Sequence, residues 1–333
     1  MVMKMTQIPL SYAIEPTTRA FLEEFNRAPP LYTLSVEEAR KAFSDLHAVD
    51  AVKLPADVED HQIPGGPKGQ VSIRIIRPKG TTEALPVIMF FHGGGWVFGD
   101  KDAFDPLVRE IANGSNAAVV FVDYTLSPEA KYPTAIEEAC AATKYVAEHG
   151  ETFNLDSSRL AVVGDSVGGN MAIAVTILAK ERGGPNISFQ VLFYPVTDAN
   201  FNTPSYREFA TGHYLTREAM KLFWNYYLPD EEQRKHPTAS PLRTSVDQLK
   251  GLPPALIISG EFDVIRDEGE AYAHKLNEAG VCVMAVRFLG TIHGFLLLNK
   301  ITDTPASRSA IDLANDNLKK VLARGGGNST KRT

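Results

Sequence analysis

The chain of 333 residues has no long apolar run. The longest beside a strand, Leu85 to Phe91, is far too short to cross a hydrocarbon core of ~30 Å. Met1 to Ile14 shows no apolar stretch of the kind that directs secretion. The expectation is a cytoplasmic protein with no stable membrane anchoring, in which the sequons at Asn113, Asn186 and Asn328 carry no glycan. Cysteine is scarce: Cys140 and Cys282 are the only two, and no Cys-x-x-Cys pair marks a metal or redox site. Both read as small buried residues of a reducing compartment. Basic charge is not in excess. Lys and Arg total 34 against 40 Asp and Glu, a net charge of −6, and no basic stripe offers nucleic acid a footprint. No internal repeat is visible. No Gly-x-Gly-x-x-Gly follows an early strand, which excludes a dinucleotide fold. The expectation is no metal and no cofactor.

What remains is a soluble composition, 44% hydrophobic and 22% charged, patterned in segments. Residues 1–50 read as helical. Ser35 and Glu38 have the spacing of a capping box, and Val36, Ala39, Phe43 and Leu46 fall on one helix face. From residue 51 strands begin. Val71, Ile73 and Ile75 alternate with Ser72 and Arg74, and Pro86 to Phe91 is a continuous apolar run. A helix around Leu107 to Ile111, which Gly114 could end, is followed by a strand at Ala117 to Val122. The rhythm continues with a helix at 134–149, strands at 160–163 and 187–194, and, later, a strand at 255–259, a helix at 267–278, a strand at 281–288 and a helix at 307–323. Strand and helix alternating in this way predict an α/β fold, a mostly parallel central sheet with helices on both faces. Residues 51–196 and 251–324 form that domain. The insertion 197–250, rich in proline and aromatics, with a helix at 216–227, reads as a lid. Residues 325–333 are glycine-rich and polar and read as a disordered tail.

The insertion and the helical start flank a concentration of chemistry. Leu160 to Val163 runs into Gly164-Asp165-Ser166-Val167-Gly168 and then a helix-forming run. Strand, tight turn and helix are the context of a nucleophile elbow, with Ser166 at the head of the helix and the Val167 N–H free for an oxyanion. His293 follows the last strand and is the candidate base. Asp263, directly after a strand, is the candidate that orients it; Glu261 and Asp267 are rivals, Asp267 reading as a helix-capping residue. Gly94 and Gly95, in His92-Gly93-Gly94-Gly95-Trp96, could turn their N–H groups toward a substrate, and His92 reads as structural. All of these stand at the C-terminal ends of strands, where ligands of open parallel sheets bind.

Together, the His-Gly-Gly-Gly-Trp run, Asp123-Tyr124-Thr125-Leu126-Ser127-Pro128-Glu129, the elbow, Asp263 to Asp267 and His293-Gly294-Phe295 resemble the hormone-sensitive-lipase-like branch (bacterial family IV) of the α/β-hydrolase esterases. The resemblance spans roughly residues 70–320 and rests on several motifs in order. It implies a helical cap made of residues 1–50 and 197–250, and a Ser166–Asp263–His293 triad with an oxyanion hole of Gly94, Gly95 and Val167. It also implies hydrolysis of short- to medium-chain carboxylic esters without metal or cofactor. The same triad serves amidases, deacetylases and lactonases, and some plant receptors of this kind bind a small acid without a working histidine. The expected partner is a small ester, with a homodimer open. Trp96, Phe201, Tyr206, Phe209, Tyr214, Phe223 and Trp224 are candidates for the pocket wall. Two positions depart from the family: Val167, where alanine is usual, adds bulk beside the nucleophile, and Thr125 replaces an arginine that would form a local ion pair.

Overall fold

The computed structural model describes residues 13–49 and 51–323. The start of the chain and the glycine-rich tail lie outside the described residues, with the expectations attached to them.

Eight strands form one sheet: β1 (Ala56–Pro64), β2 (Gln70–Pro78), β3 (Leu85–Phe91), β4 (Ala118–Asp123), β5 (Leu155–Asp165), β6 (Phe189–Phe193), β7 (Ala255–Phe262) and β8 (Val283–Ile292). Their order is β1-β2-β4-β3-β5-β6-β7-β8. The β1/β2 and β2/β4 pairs are antiparallel and the rest parallel. Every residue of β3 and β6 is buried, as expected of strands covered on both faces. β1 has no clear signal in the sequence. Its residues, Ala-Asp-Val-Glu-Asp-His-Gln-Ile-Pro, are mostly polar because it is an edge strand, partly or fully exposed along most of its length.

Helices cover the sheet and its C-terminal edge. They are α1 (Pro16–Phe25), α2 (Val36–Ala48), α3 (Asp105–Ser115), α4 (Thr134–His149), α5 (Val167–Arg182), α6 (Pro204–Glu208), α7 (Arg217–Tyr227), α8 (Val246–Leu249), α9 (Arg266–Glu278) and α10 (Pro305–Leu322). Ser35 and Glu38 form the capping box that opens α2. Gly114 does not end α3. The helix runs through Ser115 and stops at Asn116 in the left-handed region, while a Cβ on Gly114 would overlap the side chain of Asn315. That glycine lets α10 approach closely. The buried face of α7 is Met220, Phe223, Trp224 and Tyr227. Burying each such side chain stabilises by roughly 1.5–3 kcal/mol, which outweighs the marginal stability of a short isolated helix.

Cys140 is half-buried in α4, and burial pushes its thiol up to about 12. Cys282, expected to be buried, is exposed in the turn before β8. Among the described residues no helix is long and apolar enough to cross a membrane, and no group of three His, Cys, Asp or Glu side chains could hold a metal ion.

Candidate active site

The strand β5 ends at Asp165 and α5 begins at Val167, so Ser166 alone makes the turn. Its φ of 56° and ψ of −118° lie where side chains are disfavoured, at a cost of about 1–3 kcal/mol. The surroundings enforce this. The Ser166 N–H donates to Phe193 O at 2.8 Å, and its carbonyl accepts from Val196 N at 3.0 Å. A Cβ on Gly164 would overlap the Gly168 carbonyl, and one on Gly168 would overlap the Phe91 carbonyl. The two glycines of the motif are therefore required by packing, and the turn holds the Ser166 hydroxyl toward a cavity.

Three side chains meet there. Ser166 Oγ lies 3.0 Å from His293 Nε2, and His293 Nδ1 lies 2.7 Å from Asp263 Oδ2. Asp263 is 1% exposed, and its Oδ1 accepts from Ile265 N at 3.0 Å. With Nδ1–H donating to the carboxylate, Nε2 is left to accept the serine proton. Tyr194, at φ 37°, packs its ring 4.8 Å from the imidazole. The rival carboxylates are engaged elsewhere. Glu261 accepts from Gly290 N at 2.8 Å. Asp267 lies in the first turn of α9 but accepts from Ser205 N at 2.8 Å, tying α6 to α9.

Gly94 and Gly95 have φ of 93° and 67°, left-handed values that glycine adopts freely. The Gly94 carbonyl accepts from Val97 N at 3.1 Å and Phe98 N at 2.8 Å, closing a tight turn. The Phe223 ring lies where a Cβ on Gly95 would be. Val167 N–H is at the first position of α5, where helical N–H groups lack an intrahelical acceptor. Its side chain is fully buried and does not line the cavity, so the extra bulk does not narrow it. Thr125 donates through N and Oγ1 to the buried Glu138 at 2.6 and 2.9 Å. That carboxylate is thus satisfied without a guanidinium. His92 stacks on Tyr124 and Phe121, with Nδ1 at 2.9 Å from Gly93 O. Burial drops its pKa to about 4, so it stays neutral and structural.

Asp165 escapes notice in the sequence because it resembles filler in the elbow motif. It lines the cavity, and its Oδ1 accepts from Gly93 N at 2.7 Å. Burial pushes its carboxyl up to about 7, against the pull of the Gly93 N–H and of His293. An acid raised in the folded state stabilises fully below its unfolded value of 3.8, and that contribution is lost as pH rises to about 7, by at most ~1.4 kcal/mol per unit. Asp165→Asn keeps an acceptor for Gly93 but does not titrate. Melting temperatures of the two proteins across this range check the point. The difference, variant minus wild type, should grow by about 3 °C between roughly pH 5 and pH 7 and then level off. A pH-independent difference would refute it.

The cavity holds about 200 Å³ and is lined by Gly94, Gly95, Asp165, Ser166 and His293 on its floor. Tyr214 and Phe223 are in its wall. Trp96, Phe201, Tyr206, Phe209 and Trp224 are not. Trp96 is fully buried, stacked on Tyr227 at 3.9 Å and edge-on to Trp224 at 5.0 Å. Phe209 packs against Phe262 beneath the Arg266 guanidinium, and Tyr206 stands edge-on to Phe201. Trp224, Tyr227 and Phe209 thereby pack the insertion 197–250 against Trp96 and Phe262, while Phe201 and Tyr206 pack within it. The wall is completed by Phe25, Tyr32 and Phe43 from the first fifty residues, and by Phe98, Met220 and Leu297.

An elbow serine, an imidazole and a carboxylate at strand ends, facing a two-glycine loop, place the protein among the α/β hydrolases. The chain belongs to the α/β-hydrolase fold family, whose model matches residues 88–297, in the hormone-sensitive-lipase-like branch read from its motifs. It is similar to a carboxylesterase of Mycobacterium tuberculosis, 35% identical over 314 residues, covering 93% of this chain and 96% of that protein. Among solved structures it resembles a thermostable esterase from Pseudomonas putida, 48% identical with a TM-score of 0.90, covering 93% of this chain and 98% of that one. An esterase of the fungus Rhizomucor miehei is 40% identical, with a TM-score of 0.89 and coverage of 94% and 98%.

Proposed function

We propose that this protein is a serine carboxylesterase acting on esters of short to medium acyl chains. The observation that carries the reading is the hydrogen-bonded sequence Ser166–His293–Asp263, opening on a small apolar cavity beside Gly94 and Gly95. Ser166 Oγ attacks the ester carbonyl while His293 Nε2 takes its proton, and Asp263 stabilises the imidazolium. The N–H groups of Gly94, Gly95 and Val167 hold the tetrahedral oxyanion, each worth ~3 kcal/mol of barrier. The tetrahedral carbon then expels the alcohol, which leaves with the proton from His293. Water, deprotonated by the same imidazole, attacks the acyl-enzyme and releases the acid and free Ser166.

The size of the cavity, about 200 Å³, favours short chains, since it falls below the ~300–1,000 Å³ of pockets for drug-sized ligands. Its aromatic and aliphatic wall favours an apolar acyl or alkyl group. The esterase names of the relatives support the same reaction. We also assign the protein to the cytoplasm, with a small ester as its partner, as a monomer or homodimer. Hydrolysis of p-nitrophenyl esters from acetyl to palmitoyl tests the reading. The highest kcat/KM should fall between acetyl and octanoyl, with a steep decline toward palmitoyl. A folded protein that hydrolyses none of the series would overturn it.

A further inference from the structure

Arg40 stands in the second turn of α2, far in sequence from Ser166, Asp263, His293 and the glycine loop, and makes four hydrogen bonds. Its Nε donates to Val97 O at 2.8 Å and its Nη2 to Ser127 O at 3.0 Å. Nη1 and Nη2 each donate to one oxygen of Glu129, both at 2.7 Å. Val97 closes the turn that begins at Gly94: its N–H and that of Phe98 both bond the Gly94 carbonyl. The Ser127 N–H donates to Trp96 O at 2.8 Å, so the loop 125–129 is joined to the glycine loop from the other side. One guanidinium thus holds two backbone carbonyls, one in each loop.

We propose, on the esterase reading above, that Arg40 is a positioning residue for the oxyanion hole, fixing the Gly94 and Gly95 amides through its bond to the Val97 carbonyl. The chemistry of the side chain favours this. A planar fork with five donors can serve three acceptor groups at once, which a lysine ammonium on its flexible stem cannot do in the same geometry. Glu129 orients the fork, and Arg40 in turn holds the Glu129 carboxyl down at about 2. The ion pair itself is half exposed, with side chains 29% and 55% accessible, so its charge attraction is weak. The fixed position of the loop is what the contact secures. Phe223 of α7 presses on Gly95 from the same side of the loop as the cavity. The glycine turn is therefore braced by the N-terminal helices and by the insertion together, and oxyanion stabilisation depends on both being docked.

The test compares Arg40→Ala, Arg40→Lys and Glu129→Gln with wild type on p-nitrophenyl acetate and with a trifluoromethyl ketone inhibitor. The ketone forms a hemiketal with Ser166 whose oxyanion occupies the hole. For Arg40→Ala, kcat should fall about 10–100-fold, as misplacement of a reacting group by an ångström does, with KM changed less than about threefold. The affinity for the ketone should weaken in parallel with kcat/KM. Arg40→Lys keeps the charge beside Glu129 but not both carbonyls, and should lie closer to Arg40→Ala than to wild type. Glu129→Gln keeps the carbonyl contacts and should lose less than either. The inference is overturned if Arg40→Ala retains kcat and ketone affinity within about twofold while its melting temperature drops, because Arg40 is then a strap and nothing more. It is also overturned if Arg40→Lys matches wild type, because charge alone then suffices. Should Arg40→Ala fail to fold, Arg40→Lys carries the same comparison. A wild type that hydrolyses no ester sinks the esterase reading itself, and is told apart because the loss precedes any substitution.

Discussion

Ser166→Ala should lower kcat by about 10⁶-fold with the fold intact, the size of loss found when a triad nucleophile is removed. The reasoning follows from what the substitution leaves behind. The substituted alanine inherits the strained φ of 56°, which the bonds of Ser166 N to Phe193 O and of Val196 N to Ser166 O impose on the backbone whatever the side chain. The melting temperature should therefore move by only a few degrees. The N–H groups of Gly94, Gly95 and Val167 are untouched, and so is the His293–Asp263 pair at 2.7 Å. Binding and oxyanion stabilisation thus survive, leaving roughly 10³–10⁴-fold acceleration over water. KM should stay near the wild-type value. An alkyl phosphonate should label wild type with one adduct per chain and leave the variant unlabelled. If the variant retains more than a hundredth of the activity, or takes up the label elsewhere, Ser166 is not the nucleophile.

The parts of this molecule that can be read from sequence are those in which sterics leave few choices. Gly164 and Gly168 sit where any Cβ collides with backbone, so the elbow has to carry glycine and can be recognised by it. The strand β3, buried on both faces, is apolar throughout, and β6 is apolar except for Gln190, whose Nε2 donates to Pro253 O; the parallel sheet follows from such runs. Ser166, Asp263 and His293 stand at strand ends, where a chain-order argument suffices to bring them together. The cavity wall is harder. An aromatic side chain has the same composition whether it faces a substrate or a neighbouring ring, and Trp96, Phe209 and Trp224 face rings. Phe25, Tyr32 and Phe43 reach the cavity from more than a hundred residues upstream of the elbow, a distance that periodicity does not bridge. Gly114 misleads for a related reason. It serves a helix crossing with Asn315 of α10, a tertiary need that looks in sequence like a helix end. Arg40 leaves no local signal at all, since two of its three partners are backbone carbonyls and backbone has no sequence.

Asp263→Asn should cost about 10⁴-fold in kcat while leaving the geometry nearly unchanged, the effect of reversing the orienting group in a serine triad. Asp263 is 1% exposed and accepts from both His293 Nδ1 and Ile265 N. An asparagine fits the same space. It has only one oxygen, and the Ile265 N–H, on the neighbouring backbone at 3.0 Å, claims it. The amide NH₂ is then turned toward the imidazole, where it donates to Nδ1. That contact is satisfied only if the imidazole proton moves to Nε2, and an Nε2–H cannot accept the proton of Ser166. The nucleophile remains 3.0 Å from the ring but faces a donor in place of a base. The carboxylate that would stabilise the imidazolium in the transition state is lost as well. KM should change little, since neither effect touches the bound ester. Glu261→Gln is the control. Glu261 holds the Gly290 amide, away from His293, and its variant should keep activity within about threefold. The decisive readout is the histidine tautomer: ¹⁵N shifts of His293 should report Nδ1 protonated in wild type and Nε2 protonated in Asp263→Asn. A variant that retains Nδ1–H yet loses activity would mean that charge, and not the tautomer, is what Asp263 supplies. A variant that keeps wild-type kcat would remove Asp263 from the triad altogether.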